Sequence, residues 1–215
     1  VRYDLVIFDN DGVLVDSEPL SNRLLAGCLT EAGFPTTYEE SLRDFMGGAF
    51  HRVEDVVRER YGQELPEGFQ AAYHAKVFAA FEAELRAVRG VAEVLDKLAA
   101  DGVPYCLASS GAHARIRVAL RATGLAPRFD EERIFSSQDV GRGKPAPDLF
   151  LHAARTMGVP PERCAVVEDS PLGVQAARAA AMDVYGFAAM TPAEQLAGAK
   201  AVFTSMEQLP DLLRS

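Results

Sequence analysis

An apolar run, Leu5-Val6-Ile7-Phe8, stops abruptly at Asp9-Asn10-Asp11-Gly12, and this junction constrains the fold more than any other stretch of the chain. Four bulky apolar residues without polar alternation suit a strand buried on both faces, as in parallel sheets covered by helices. Such a strand delivers two carboxylates at its carboxyl end, where open α/β sheets bind ligands. In an extended chain Asp9 and Asp11 point the same way while Asn10 faces elsewhere, and Gly12 permits a tight turn beside them. Two like charges held that close repel unless a cation or a proton lies between them. The same four residues also make an ordinary acidic turn, so the junction alone leaves both readings open.

After this strand Asp16 or Ser17 can cap a helix that carries Glu18 and Pro19 in its first turn. Leu20, Leu24, Leu25, Cys28, Leu29 and Ala32 follow helical spacing, and Gly33 stops the helix before Pro35. Helical stripes continue, one through Phe50, Val53, Val56, Val57 and Tyr61, another through Phe69, Tyr73, Val77, Phe81 and Leu85. A crossover needs only about 10–12 residues, whereas this helical block runs to roughly seventy. It therefore reads as an all-helical subdomain over 16–87, inserted into a core formed by 1–15 and 88–215.

From Gly90 the pattern alternates. Strands are expected over 103–108, 134–135, 164–167, 183–187 and 201–203, with helices over 91–100, from a start at Ser110-Gly111 through Thr123, over 148–157 and from 171 to about 181. In the second of these helices Ile116, Ala119, Leu120 and Thr123 share the inward side, and Arg115, Arg117 and Arg121 are expected to face solvent. The alternation predicts an α/β fold with a doubly wound, mostly parallel, Rossmann-like sheet and right-handed crossovers. Asp9, Asp11, Ser109 and Glu168-Asp169 each follow a strand. Parallel strands point one way, so these residues are expected to converge on one rim, with Lys144 reaching it from a loop.

Charge narrows the partner. The formal net charge of −9 argues against nucleic acid and against a membrane surface, so an anionic substrate must be met by a local device such as a metal, a lysine or backbone N–H groups. Cys28, Cys106 and Cys164 are widely spaced and read as buried free thiols. No segment has the length of a membrane span or the pattern of a leader, which makes the cytoplasm the expected compartment. A monomer is expected.

Asp9-Asn10-Asp11-Gly12-Val13 resembles the DxDx(T/V) signature of the haloacid dehalogenase superfamily. The order of Ser109, Lys144 and Glu168-Asp169 is similar to that family's, as are the segments GKPAPD and VVEDSPLGVQAA. The resemblance implies Mg²⁺-assisted phosphoryl transfer. Asp9 is then the nucleophile that forms an aspartyl-phosphate, and Asp11 the general acid and base. Asp9, the Asp11 carbonyl, Glu168 and Asp169 hold the ion. Ser109, with backbone N–H groups of Asn10, Ser110 and Gly111, holds phosphoryl oxygens, and Lys144 adds positive charge. Each piece also has a plainer meaning: a capping turn for Ser109-Ser110-Gly111, a solvated loop for Lys144-Pro145, an acidic helix start for Glu168-Asp169.

The helical insert resembles the cap of the β-phosphoglucomutase and phosphoglycolate phosphatase branch. Ser21 stands where the mutase has a histidine that suppresses hydrolysis, and Gly47-Gly48-Ala49-Phe50 replaces a basic residue after the cap's glycine. Both departures favour water as acceptor, hence a phosphatase acting on a small phosphorylated metabolite, a sugar phosphate or sugar-acid phosphate. The alternatives are a phosphosugar mutase, a haloalkanoate dehalogenase, disfavoured by Asp11 and Glu168-Asp169, and a non-catalytic metal-binding interaction protein. His51 and His113 could touch substrate, but capping or solvated roles are expected for them. His74 and His152 are expected at the surface or boundary.

Overall fold

The computed structural model describes residues 2–46 and 50–215, so Gly47 and Gly48 lie outside the described residues. The chain divides into two compact units, Val1–Val15 with Arg86–Ser215, and Asp16–Leu85.

The first unit holds β1 (Leu5–Phe8), α5 (Val91–Ala100), β2 (Tyr105–Ser109), α6 (His113–Ala122), β3 (Ile134–Ser136), α7 (Asp148–Thr156), β4 (Cys164–Glu168), α8 (Pro171–Ala179), β5 (Asp183–Phe187), β6 (Ala201–Phe203) and α9 (Leu209–Leu212). The strands form one sheet in the order β3-β2-β1-β4-β5-β6, and every neighbouring pair is parallel. This is the doubly wound order of the Rossmann type, in which winding reverses between the first and fourth strands and opens a crevice at their carboxyl ends. The strand expected from Val103 begins at Tyr105 instead. Pro104 has no N–H for the ladder, although its carbonyl accepts from Val6 N at 3.0 Å.

Both faces of the sheet are covered, as the unbroken apolar run of β1 requires. Leu5, Ile7, Cys106, Ala108, Val166 and Val184 share one core cluster with Leu149, Phe150 and Ala153 of α7 and Val174, Ala176 and Ala177 of α8. Burying each large side chain contributes roughly 1.5–3 kcal/mol, and the alanines let the helices approach the strands closely. All three cysteines are free and buried. Burial pushes the Cys106 thiol well above its ordinary range and that of Cys164 up to about 11.

The second unit holds α1 (Glu18–Glu31), α2 (Tyr38–Phe45), α3 (His51–Tyr61) and α4 (Phe69–Glu84). Pro19 lies in the first turn of α1, and Gly33, at a φ of 92°, follows the end of that helix. Thr37 and Glu40 form a reciprocal capping box at the start of α2, at 3.2 and 2.8 Å. Helix α1 packs on α2 and α4, and its buried Asn22 binds Ser41 Oγ at 2.9 Å and the Glu18 carbonyl at 2.9 Å. Among the described residues no helix is long and apolar enough to cross a membrane.

Candidate active site

Three adjacent strands end within two residues of one level. Phe8 lies opposite Leu107 of β2 on one side and Val167 of β4 on the other, so the next residues, Asp9, Ala108 and Glu168, are level across the switch point. Asp9 N donates to the Val167 carbonyl at 3.0 Å, continuing the ladder one residue past β1. Lys144 enters from the loop before α7. Its Nζ donates to Asp9 Oδ1 at 2.6 Å, to Glu168 Oε1 at 2.6 Å and to the Ala108 carbonyl at 3.3 Å, and lies 4.8 Å from the Phe150 ring centroid.

One ammonium thus serves two carboxylates, with side-chain exposures of only 4% for Lys144, 9% for Asp9 and 1% for Glu168. Burying charge is costly unless it is paired and hydrogen-bonded. Burial pushes the Asp9 carboxyl up to about 7; Lys144 opposes the rise, and Glu168 and Asp11 add to it. For Lys144 burial acts to lower the pKa, but the carboxylates of Asp9 and Glu168 hold it above its ordinary range. Lys144 therefore remains an ammonium ion, and burial disfavours the charge on Asp9.

Glu168, expected among the metal ligands, is engaged on both oxygens by the protein. Oε1 accepts from Lys144, and Oε2 accepts from Ser170 N at 2.8 Å and Ser170 Oγ at 2.9 Å. Ser170 Oγ also accepts from Gly173 N at 3.0 Å and caps α8. A side-chain carbon at Gly173 would overlap the Glu168 carboxylate. Glu168 thereby anchors both Lys144 and the start of α8. Asp169 is 9% exposed, and its carboxylate lies against the loop after β1, where a side-chain carbon at Gly12 would overlap it. Gly12 also has a φ of +80°, a conformation that L side chains rarely adopt.

Asp11 is held from two sides. Arg115 Nη2 donates to Oδ1 at 2.7 Å and Asn10 Nδ2 donates to Oδ2 at 3.2 Å. This corrects the expectation that Arg115 faces solvent: its side chain is 19% exposed. Arg115 stands in the first turn of α6, immediately past the rim, and its long side chain reaches back to the loop after β1.

The stretch after β2 also differs from expectation. Helix α6 begins at His113, not at Ser110-Gly111, and His113 N donates to Gln138 Oε1 at 3.1 Å. Ser109 is 1% exposed, and its Oγ accepts from Gly111 N at 2.9 Å, so that amide is directed at the serine. Ser110 is exposed, with its carbonyl accepting from Ser137 Oγ at 2.7 Å. A side-chain carbon at Gly111 would lie 3.3 Å from Ser109 Oγ, 3.4 Å from Arg115 Cδ and 3.8 Å from Asp11 Oδ2. Ser109, Arg115 and Asp11 therefore surround one point.

A carboxylate–lysine–carboxylate set thus stands at the switch point, with two further aspartates beside it. A family profile described as haloacid dehalogenase-like hydrolase matches residues 3–181. The chain belongs to the haloacid dehalogenase-like hydrolase family. The hydrolase is 32% identical to 6-phosphogluconate phosphatase of Escherichia coli strain K12 over 216 residues, covering 100% of this chain and 96% of that one. It is 32% identical to the phosphorylated carbohydrates phosphatase of Thermotoga maritima over 185 residues, covering 85% and 84% of the two chains. The structure of a family hydrolase from Deinococcus radiodurans R1 with bound phosphate and sodium superposes with a TM-score of 0.82 at 34% identity, covering 99% and 95%.

The remaining expected residues lie in the helical unit of the hydrolase. Ser21 is buried on α1, its carbonyl accepting from Tyr73 Oη at 3.3 Å, and His51 is the exposed first residue of α3. Elsewhere His113 Nε2 is 2.8 Å from Asp139 Oδ1, a side-chain hydrogen bond and not a cap. Sequence reasoning missed Arg115, Ser170 and Gly173. The last two fall within VVEDSPLGVQAA, where a serine three residues before a glycine at a helix start is a usable capping signal. Arg115 carries no such signal beyond its place in the first turn of a helix that begins at the rim.

Proposed function

We propose that this hydrolase is a Mg²⁺-dependent phosphatase that removes the phosphoryl group of a small phosphorylated metabolite, a sugar phosphate or sugar-acid phosphate, through an aspartyl-phosphate on Asp9. The observation that carries the reading is the Asp9 carboxylate, buried at the end of β1, with Lys144 at 2.6 Å from Oδ1 and Asp169 against the adjoining loop.

The donor set fits a hard cation. Mg²⁺ is ordinarily bound by one or two carboxylates together with water and substrate phosphate, and not by an all-protein cage. Asp9, Asp169 and the Asp11 carbonyl supply oxygens of that kind, and Gly12 leaves the room that the Asp169 carboxylate occupies. Glu168 acts in this reading as the anchor of Lys144. When bound, the ion neutralises phosphoryl oxygens that would otherwise repel the nucleophile.

In the first step an Asp9 oxygen attacks phosphorus as the ester P–O bond breaks, and Asp11 gives its proton to the departing oxygen. In the second, Asp11 takes a proton from water as that water attacks phosphorus; the bond to Asp9 breaks, and inorganic phosphate and the free carboxylate are restored. Lys144 fixes Asp9 Oδ1 in both steps, and Ser109 Oγ holds a phosphoryl oxygen. The printed names of the two relatives, 6-phosphogluconate and phosphorylated carbohydrates, support the substrate class. Ser21, standing where the mutase branch has a histidine, favours water as acceptor.

The test is release of inorganic phosphate from p-nitrophenyl phosphate and a panel of sugar phosphates, with Mg²⁺ and with EDTA. Metal-dependent release is expected. No release from any ester supports a non-catalytic binding protein, and conversion of β-glucose 1-phosphate to the 6-phosphate faster than its hydrolysis supports a mutase.

A further inference from the structure

We infer that Arg115 and Asn10 are positioning residues that clamp the Asp11 carboxylate in the orientation from which it transfers its proton. The inference rests on the phosphatase reading and adds to it two side chains that the family signature does not assign.

Each oxygen of Asp11 has its own donor, Arg115 Nη2 at 2.7 Å on Oδ1 and Asn10 Nδ2 at 3.2 Å on Oδ2. Two donors on opposite oxygens fix both side-chain torsions of an aspartate. A single donor leaves the carboxylate free to rotate about the bond it accepts. A carboxylate oxygen has two lone pairs, so accepting either of these donors does not by itself exclude the proton that Asp11 passes to the leaving oxygen.

Asn10 carries a cost that this role accounts for. It is fully buried, and its Oδ1 has no hydrogen-bond partner among the described residues, which is unfavourable for a buried acceptor. A leucine of similar size would avoid that cost. Turning the amide over would set its oxygen against the Asp11 carboxylate, so the donor towards Asp11 is what an amide at position 10 provides. Arg115 is likewise only 19% exposed, and Gly111 lets its stem pass, since a side-chain carbon there would lie 3.4 Å from Arg115 Cδ.

The experiment uses leaving groups. A nitrophenolate departs without a proton, whereas a sugar alkoxide needs one, and kcat/KM reports the steps through cleavage of the ester bond. Arg115→Met and Asn10→Leu are compared with wild type on p-nitrophenyl phosphate and on whichever of 6-phosphogluconate, sorbitol 6-phosphate and glucose 6-phosphate wild type cleaves fastest, with thermal melts to verify folding. Loss of oriented proton transfer should lower kcat/KM for the sugar ester roughly 100-fold and for the aryl ester at least tenfold less. Arg115→Lys should restore part of the sugar-ester loss. Equal losses on both esters, or none on either, overturn the clamp while leaving the phosphatase reading intact. Should Arg115→Met fail to fold, the same two outcomes are read from Asn10→Leu. A wild-type enzyme that cleaves only the aryl ester has no working proton donor and also overturns the clamp. One that cleaves neither ester overturns the phosphatase reading, and the clamp falls with it.

Discussion

The sheet carries a lysine–carboxylate group at each end, and the two differ in what surrounds them. At the carboxyl end Lys144 is buried between Asp9 and Glu168. At the amino end Lys200 Nζ donates to Asp183 Oδ2 at 2.7 Å and to Tyr3 Oη at 2.8 Å, and Tyr3 Oη donates to Asp183 Oδ2 at 2.6 Å. That group ties the starts of β1, β5 and β6 together, and its side chains remain 31% exposed for Lys200 and 41% for Asp183. Burial acts to raise the Asp183 carboxyl, but hydrogen bonds from Lys200 and Tyr3 hold it below the usual carboxylate range. Asp9 moves the other way, up to about 7, with desolvation the largest cause. A carboxylate with water nearby and a lysine to itself is comfortable as an anion. One stripped of water and sharing its lysine with a second carboxylate is not, and the latter is the chemically poised end.

Exchanging residues between these roles should produce effects of very different size. Asp9→Asn should reduce phosphate release by at least about a thousandfold, because the amide cannot serve as the phosphoryl acceptor, with circular dichroism unchanged. Lys144→Met leaves two buried carboxylates without their cation. It should cost roughly 3–5 kcal/mol in denaturant unfolding and should lower kcat as well, since Asp9 loses its fixed orientation. Retention of wild-type stability would remove the central ion set from the account.

The pH dependence has opposite signs at the two ends. The raised pKa of Asp9 means a stability contribution that is fully present below its unfolded value near 4 and lost as pH rises through about 7. In EDTA, the Tm of Asp9→Asn minus that of wild type should therefore grow between about pH 4 and 7 and then level. The depressed pKa of Asp183 means a contribution present above about 4 and lost as pH falls through its folded value. The Tm advantage of wild type over Asp183→Asn should fade in acid. That last effect is the smallest, under about 1 kcal/mol for a group this exposed, with turnover unchanged. A large loss of activity in Asp183→Asn would erase the distinction between the ends.

Much of the scaffold was legible because strand ends and chemistry coincide. The runs at Leu5–Phe8, Tyr105–Ser109 and Cys164–Glu168 are apolar up to the residue that turns polar, so the chain announces both the strand and the rim. What was not legible depends on side chains crossing between segments. Helical periodicity assigns Arg115 to a face but cannot show that a long side chain in the first turn folds back to Asp11. An acidic pair after a strand does not reveal that Glu168 accepts from Lys144 and Ser170, because that depends on the path of a loop 24 residues earlier. Ser110-Gly111 has the composition of an anion-binding helix start, yet the helix begins at His113 because the Gly111 amide turns to Ser109.

The most direct measurement is to mix the enzyme with ³²P-labelled substrate and Mg²⁺, quench in acid within a turnover, digest, and identify the labelled peptide. The account predicts label on the segment containing Asp9, absent in Asp9→Asn. Label on another segment, or turnover that persists in Asp9→Asn, would contradict it.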